Sequence, residues 1–195
     1  MNDMNESINT AIARILRLDV GGLPIGWVSL EDAASHYCLG EVAWEAGQES
    51  IVLRGGWNAG GQRSTIQVSS IIATTGQHRS SRKTLGLTNR ALFARDRNIC
   101  LYCGDHFPDR LLTRDHVIPQ CQGGPDVWDN VVAACVNCNG NLKRDRTPEQ
   151  AGMKLLALPY TPSAVEGLIL RNRHILADQM DYLAKMVPDR GKRLS

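Results

Sequence analysis

The alternation of apolar and polar positions changes character along the chain, and each change predicts an element. "ARILRLDV" (13–20) predicts a strand and "GGLPIG" (21–26) a turn. Ser29 followed by Asp32 resembles a capping box, and the segment behind it predicts a helix over roughly residues 30–39, ended by Gly40. "EVAWE" and "SIVLRGG" predict short strands, and "STIQVSSIIAT" (64–74) another. Periodicity then disappears: "TGQHRSSRKTLG" (75–86) is polar and basic with two glycines, and reads as a linker. In "LTNRALFARDRN", Thr88 is an N-cap for a short helix.

Further along, "LLTRDHVIP" (111–119) predicts a strand ending near His116, and Gly123–Gly124–Pro125 a sharp reversal. "VWDNVVAAC" predicts a helix capped by Asp129 or Asn130, and a second short helix begins near Cys138. Thr147–Pro148 opens a further helix into "EQAGMKLL". "PSAVEGLILRNRHILADQMDYLAKMV" places apolar residues at 165, 168, 169, 175, 176, 180, 183 and 186–187, a helical stripe of period near 3.6. That helix packs on the body or on a second copy of the chain. The expected class is α+β: a small N-terminal α+β unit over 1–74, a basic linker over 75–87, a compact domain over 88–156, and a C-terminal helical extension over 157–195.

Composition adds little until charge is divided along the chain. Of 195 residues, 43% are hydrophobic and 22% charged, ordinary for a soluble globular protein. No apolar run approaches the ~20 residues of a membrane span, and the polar, acidic start "MNDMNESINT" predicts no secretory signal. Residues 1–60 carry three basic against eight acidic side chains, whereas residues 61–195 carry nineteen against twelve. The basic part suits a polyanion such as nucleic acid, with Arg79, Arg82 and Lys83 in the linker and Arg90, Arg95 and Arg97 beyond it as candidates; a solvated charged surface is the plainer reading.

Candidate chemistry begins with cysteine. Cys100-Leu-Tyr-Cys103 and Cys135-Val-Asn-Cys138 are two C-x-x-C pairs separated by 31 residues. Each pair turns two thiolates toward one cation, and two pairs complete a tetrahedral sulfur shell that suits structural Zn²⁺. Without a secretory signal the compartment is expected to be reducing and cytoplasmic, which favours metal over disulfide. Stapling both ends of the insert brings residues 115, 116, 130 and 139 close together. His36, Cys38, His106, Cys121 and His174 read as structural or surface residues, and Trp27, Trp44 and Trp57 as core or turn packing.

With these residues in place, "CLYCG…LTRDHVIPQCQGGPDVWDNVVAACVNCNGNLKRDRTPEQAGMKLL" resembles the four-cysteine branch of the HNH endonucleases over about residues 88–156. The N-terminal unit is similar, far more weakly, to the leader region of some bacterial and phage members. The resemblance implies a ββα-metal fold that hydrolyses DNA. It implies His116 as the general base, Asp115 as a ligand of a catalytic divalent cation, Asn130 as the residue that holds the loop and orients the histidine, and Asn139 as the second cation ligand. Lys143 and Arg146 match positions where basic residues meet the DNA backbone, and Arg114 is a local departure that either touches a phosphate or faces solvent. The residue types fit that chemistry: an imidazole accepts a proton near neutral pH, and the hard oxygens of Asp115 and Asn139 suit Mg²⁺ or Mn²⁺. A double-stranded DNA substrate is expected, no membrane partner, and a homodimer is one route to cutting both strands. The alternative is a zinc-stapled DNA-binding module without catalysis.

Overall fold

The structure, a computed structural model, describes residues 14–76 and 85–188. Its strands are β1 (Ile15–Leu18), β2 (Pro24–Val28), β3 (Val42–Trp57), β4 (Arg63–Thr74), β5 (Leu112–His116) and β6 (Val131–Cys135). Its α-helices are α1 (Leu30–Cys38), α2 (Asn89–Arg95), α3 (Ala164–Arg171) and α4 (Ala177–Ala184), and a π-helical turn spans Asn137–Lys143. The mixed α+β class is as expected. Arg79, Arg82, Lys83 and most of the tail "PDRGKRLS" lie outside the described residues. Among the described residues no helix is long and apolar enough to cross a membrane. The described chain forms two compact units, 14–76 with 172–187, and 85–171.

The first unit is a four-stranded sheet in the order β2-β1-β4-β3. β1 runs antiparallel to β2 and parallel to β4, and β3 and β4 form a long antiparallel ribbon. The two short strands expected over 41–57 are one strand, kinked by register shifts, because β4 offers pairing partners along nearly its whole length. Ser29 Oγ accepts from Asp32 N at 3.0 Å and starts α1, and Gly40 at φ 68° follows its end. Apolar side chains of α1, β1, β3 and β4, among them Ile15, Leu30, Ile51, Val68 and Ile72, form the core.

The apolar stripe over 162–187 predicts one helix, but it divides between α3 and α4, and residues 172–176 are not helical. α4 belongs to the first unit. Gln179 is fully buried and its Nε2 donates to Arg14 O and Ser70 O at 2.8 Å each. Asp178 Oδ2 accepts from Gln48 N, Glu49 N and Ser70 Oγ at 2.9, 3.0 and 2.6 Å. A Cβ on Gly47, at φ 93°, would lie 2.5 Å from Asp178 Oδ2, so glycine is needed there.

The second unit is built around the β5–β6 hairpin, with His116 opposite Val131 and Leu112 opposite Cys135. Here the helix expected over 131–135 is a strand. "VVAAC" is buried at every position, and short apolar runs carry no periodicity that separates a buried strand from a buried helix. The helix expected after Thr147 is likewise a single turn. Thr147 and Gln150 exchange hydrogen bonds as a cap would, but Gly152 at φ 67° ends the turn at once.

Buried apolar residues of α2, β5 and β6, with Trp128, form this core. At its centre Arg95, only 7% exposed, is paired with Asp96 at 2.8 Å. Its guanidinium donates to Trp128 O, Tyr160 O and Val131 O, and Asp96 Oδ2 accepts from Ala133 N at 2.8 Å. Arg95 therefore ties α2 to β6 and adds nothing to a basic surface.

A four-cysteine cluster beside a polar cleft

The two C-x-x-C turns meet. The sulfurs of Cys100, Cys103, Cys135 and Cys138 all lie within 4.8 Å of one another. A tetrahedral Zn–S₄ centre with bonds of about 2.3 Å has sulfur–sulfur edges of about 3.8 Å, so the cluster can hold such an ion with small adjustments. Local hydrogen bonds shape both turns. Gly104, at φ 83°, donates to Cys100 O at 2.9 Å, and Cys138 N donates to Cys135 Sγ at 3.4 Å. Leu101 N donates to Ala133 O at 2.9 Å, which docks the first turn on β6. Burial, followed by the Cys135 and Cys100 sulfurs, pushes the Cys138 thiol up from its ordinary value, and burial pushes Cys103 up to about 11. A cation among the four sulfurs would reverse that balance by favouring thiolates.

Beside the cluster lies an open polar cleft of about 360 Å³, lined by Asp115, His116, Asn139, Arg114, Cys121 and Arg144 among others. β5 supplies Asp115 and His116, and the π-helical turn supplies Asn139. Asn139 Nδ2 donates to Thr113 Oγ1 at 2.9 Å, which locks the amide against β5.

Asn130 does not line the cleft; it builds the loop behind it. It is 6% exposed. Its Oδ1 accepts from Ile118 N at 2.9 Å, and its Nδ2 donates to Ile118 O at 3.0 Å and Pro125 O at 2.9 Å. One side chain thus closes the reversal that follows His116. Gly124 is part of the same device: a Cβ there would sit 1.8 Å from Ile118 O.

His116 Nε2 donates to Asp126 Oδ1 at 2.9 Å, and Arg114 grips both oxygens of the same carboxylate at 2.9 and 2.7 Å. The Arg114 hydrogen bond first, and His116 after it, hold the Asp126 carboxyl below the usual carboxylate range. Asp126 carries no role in the sequence alone. Its signal would have been an acid following the glycine pair, but only the folded loop brings it against the histidine.

Asp115 is 4% exposed, with Tyr102 Oη donating to Oδ2 and Lys143 Nζ donating to Oδ1 at 3.1 Å. Burial, then the Asp115 carboxylate, pushes the Tyr102 hydroxyl far above its ordinary value, so it remains a donor.

The three basic residues expected at DNA are placed differently. Lys143 is fully buried in the wall of the cleft and also donates to His116 O at 2.8 Å, so its ammonium is taken up by the protein's own acceptors. Arg114 donates to Asn89 Oδ1 at 3.0 Å besides its pairing with Asp126. Arg146 is exposed, but donates to Leu142 O and Lys143 O at the end of the π-helical turn. Arg144, which the sequence reading passed over, is exposed and lines the cleft with a backbone φ of 56°. His106 and His174 are exposed, His36 pairs with Glu41, and Trp57, expected in core or turn packing, is 73% exposed.

No curated protein and no solved structure matches the chain. The family model described as HNH endonuclease does match, over residues 100–156, from the first cysteine of the cluster past the last. The segment that carries the cysteine cluster, the β5–β6 hairpin and the cleft is thereby similar to the HNH endonucleases.

Proposed function

We propose that this chain is a metal-dependent endonuclease that hydrolyses phosphodiester bonds of double-stranded DNA. The observation that supports it best is that Asp115, His116 and Asn139, drawn from two separate elements, line one open cleft with an exposed arginine at its edge. The four cysteines would hold a structural zinc ion, and the oxygens of Asp115 and Asn139 would hold the catalytic cation, Mg²⁺ or Mn²⁺. These residues fit such an ion. Both offer hard oxygens to the same cleft, and a carboxylate has about four lone-pair sites, of which Lys143 and Tyr102 take two. Once bound, the ion stabilises negative charge on the phosphate as the P–O bond breaks.

The chain's own residues do the rest. Because the Asp126 carboxylate only accepts, the proton of a neutral His116 stays on Nε2, and Nδ1 is left as the nitrogen that takes a proton from water. Asn130 holds the loop that carries this arrangement. Arg144 faces the phosphate from the cleft, and Arg146 is a backbone contact at its periphery. Such contacts bind any sequence and weaken with salt.

One observation favours the second reading, a zinc-stapled DNA-binding module: Asp115 is almost buried and already neutralised by Lys143. Supercoiled plasmid incubated with Mg²⁺ or Mn²⁺ separates the two. Nicking by the wild type, abolished by EDTA and by His116→Ala, is expected. DNA binding without nicking by the wild type would favour the module, and nicking that survives His116→Ala would remove the histidine from catalysis. Zinc content near one per chain, lost in Cys100→Ser/Cys138→Ser, checks the metal.

A further inference from the structure

Two groups around Asp115 have no task in that mechanism, the Lys143 ammonium and the Tyr102 hydroxyl. Lysine is almost never fully buried unless its charge is paired, yet Lys143 is 0% exposed. Its Nζ joins Asp115 Oδ1 at 3.1 Å to His116 O at 2.8 Å, so one ammonium ties the side chain of the first residue to the main chain of the second. Tyr102 Oη takes the other carboxylate oxygen. Each donor is anchored by one half of the cysteine cluster. Tyr102 lies between Cys100 and Cys103, packed against the buried cysteines, and Lys143 closes the turn that contains Cys138.

The terminal torsion of an aspartate is broad, so a single donor leaves its carboxylate free to swing. Donors on separate oxygens, each on its own rigid turn, remove that freedom. Catalytic groups have to be held within about 0.5 Å of the productive geometry, and among the described residues Tyr102 and Lys143 supply the side-chain hold on Asp115. Lys143 cannot meet a phosphate while it is buried, which separates its role from that of the exposed arginines.

We infer that Lys143 and Tyr102 are positioning residues, a clamp that carries the order of the four-cysteine site into the Asp115–His116 pair. The inference rests on the nuclease reading for its consequence and on geometry for its existence, and the two are tested apart. A dehydrated, hydrogen-bonded ammonium exchanges its protons slowly. Nitrogen-15 NMR of the lysine side chains of the full-length, zinc-loaded protein at neutral pH is therefore expected to show a protected Nζ signal. That signal is absent in Lys143→Met and displaced in Asp115→Asn. No protected signal in the wild type overturns the clamp.

The kinetic arm uses Tyr102→Phe, which keeps the ring and removes only the hydroxyl, alongside Lys143→Met. Losing one hydrogen bond to a charged acceptor is expected to lower kcat about tenfold for Tyr102→Phe, and losing both the bond to Asp115 and the bond to His116 O about a hundredfold for Lys143→Met. KM, the DNA affinity without divalent cations, its salt dependence and the zinc content are expected to stay unchanged. If Lys143→Met instead weakens DNA binding and reduces the salt slope, Lys143 is a phosphate contact and the clamp is wrong. A kcat within twofold of wild type for both variants also overturns it. A protected ammonium in a wild type that nicks no DNA overturns the nuclease reading and leaves the geometry standing.

Discussion

Replacing Asn130 by alanine isolates the loop that supports the histidine. The side chain makes three neutral hydrogen bonds, two to the main chain of Ile118 and one to Pro125 O. At about 1 kcal/mol each, net of exchange with water, they total about 3 kcal/mol. The Ile118 residue is 48% exposed, so water can replace part of what is lost, and about 2–3 kcal/mol is the expected destabilisation of the reversal. Hydrogen–deuterium exchange read by mass spectrometry on the peptide covering 117–125 measures this directly. Amide protection there should fall about 30- to 150-fold, since 1.4 kcal/mol is about a factor of ten. Protection over β5–β6 and the zinc content should hold, because neither depends on Asn130. Nicking should fall by about a factor of 100, as misplacement by about 1 Å costs that much. Protection over 117–125 within threefold of wild type, in a protein that still carries zinc, would refute the assignment of Asn130 as the clip.

Three further outcomes follow from the same geometry. Arg95→Ala leaves Asp96 as an uncompensated buried charge, and is expected to destabilise the 85–171 unit by about 3–5 kcal/mol in a chemical denaturation followed by hydrogen exchange of its peptides. Asp126 has a depressed folded-state pKa, so its contribution is fully present above the ordinary aspartate value of about 3.9 and is lost as pH falls through the lower folded value. Side-chain NMR signals of Arg114 and His116 should therefore move in the wild type only as pH falls below the ordinary aspartate value, and the Asp126→Asn variant should lack that transition. Gln179→Ala removes two buried hydrogen bonds to Arg14 O and Ser70 O, and should lower protection around residue 70 by about ten- to a hundredfold while zinc content stays unchanged.

The composition of the cluster and the identity of the cleft residues were legible in the chain because metal ligation and acid–base chemistry demand particular side chains at particular spacings. Cys100, Cys103, Cys135 and Cys138 announce themselves by type and interval, and Asp115–His116 by their place between the two pairs. The capped start of α1 was legible for a similar reason, since Ser29 satisfies an amide three residues away and needs nothing distant. The strand at 131–135 was not, because "VVAAC" has no period, and its partner lies across the loop at 112–116. The break between α3 and α4 escaped for another reason: their apolar residues continue one stripe, while the partners that hold α4 lie at Arg14, just before β1, and in β3 and β4.

By itself the sequence determined the four-cysteine set, the Asp115–His116 pair and the class of fold, since these depend on residue type and on short-range spacing. Only the tertiary structure decided what each charge does. Lys143 and Arg114 carry the same formal charge in a list of residues, yet one is dehydrated against Asp115 and His116 O and the other shares Asp126 with the histidine at the cleft. Whether a cation faces water, a carboxylate or a phosphate is set by what packs around it, and that depends on residues brought together from distant parts of the chain.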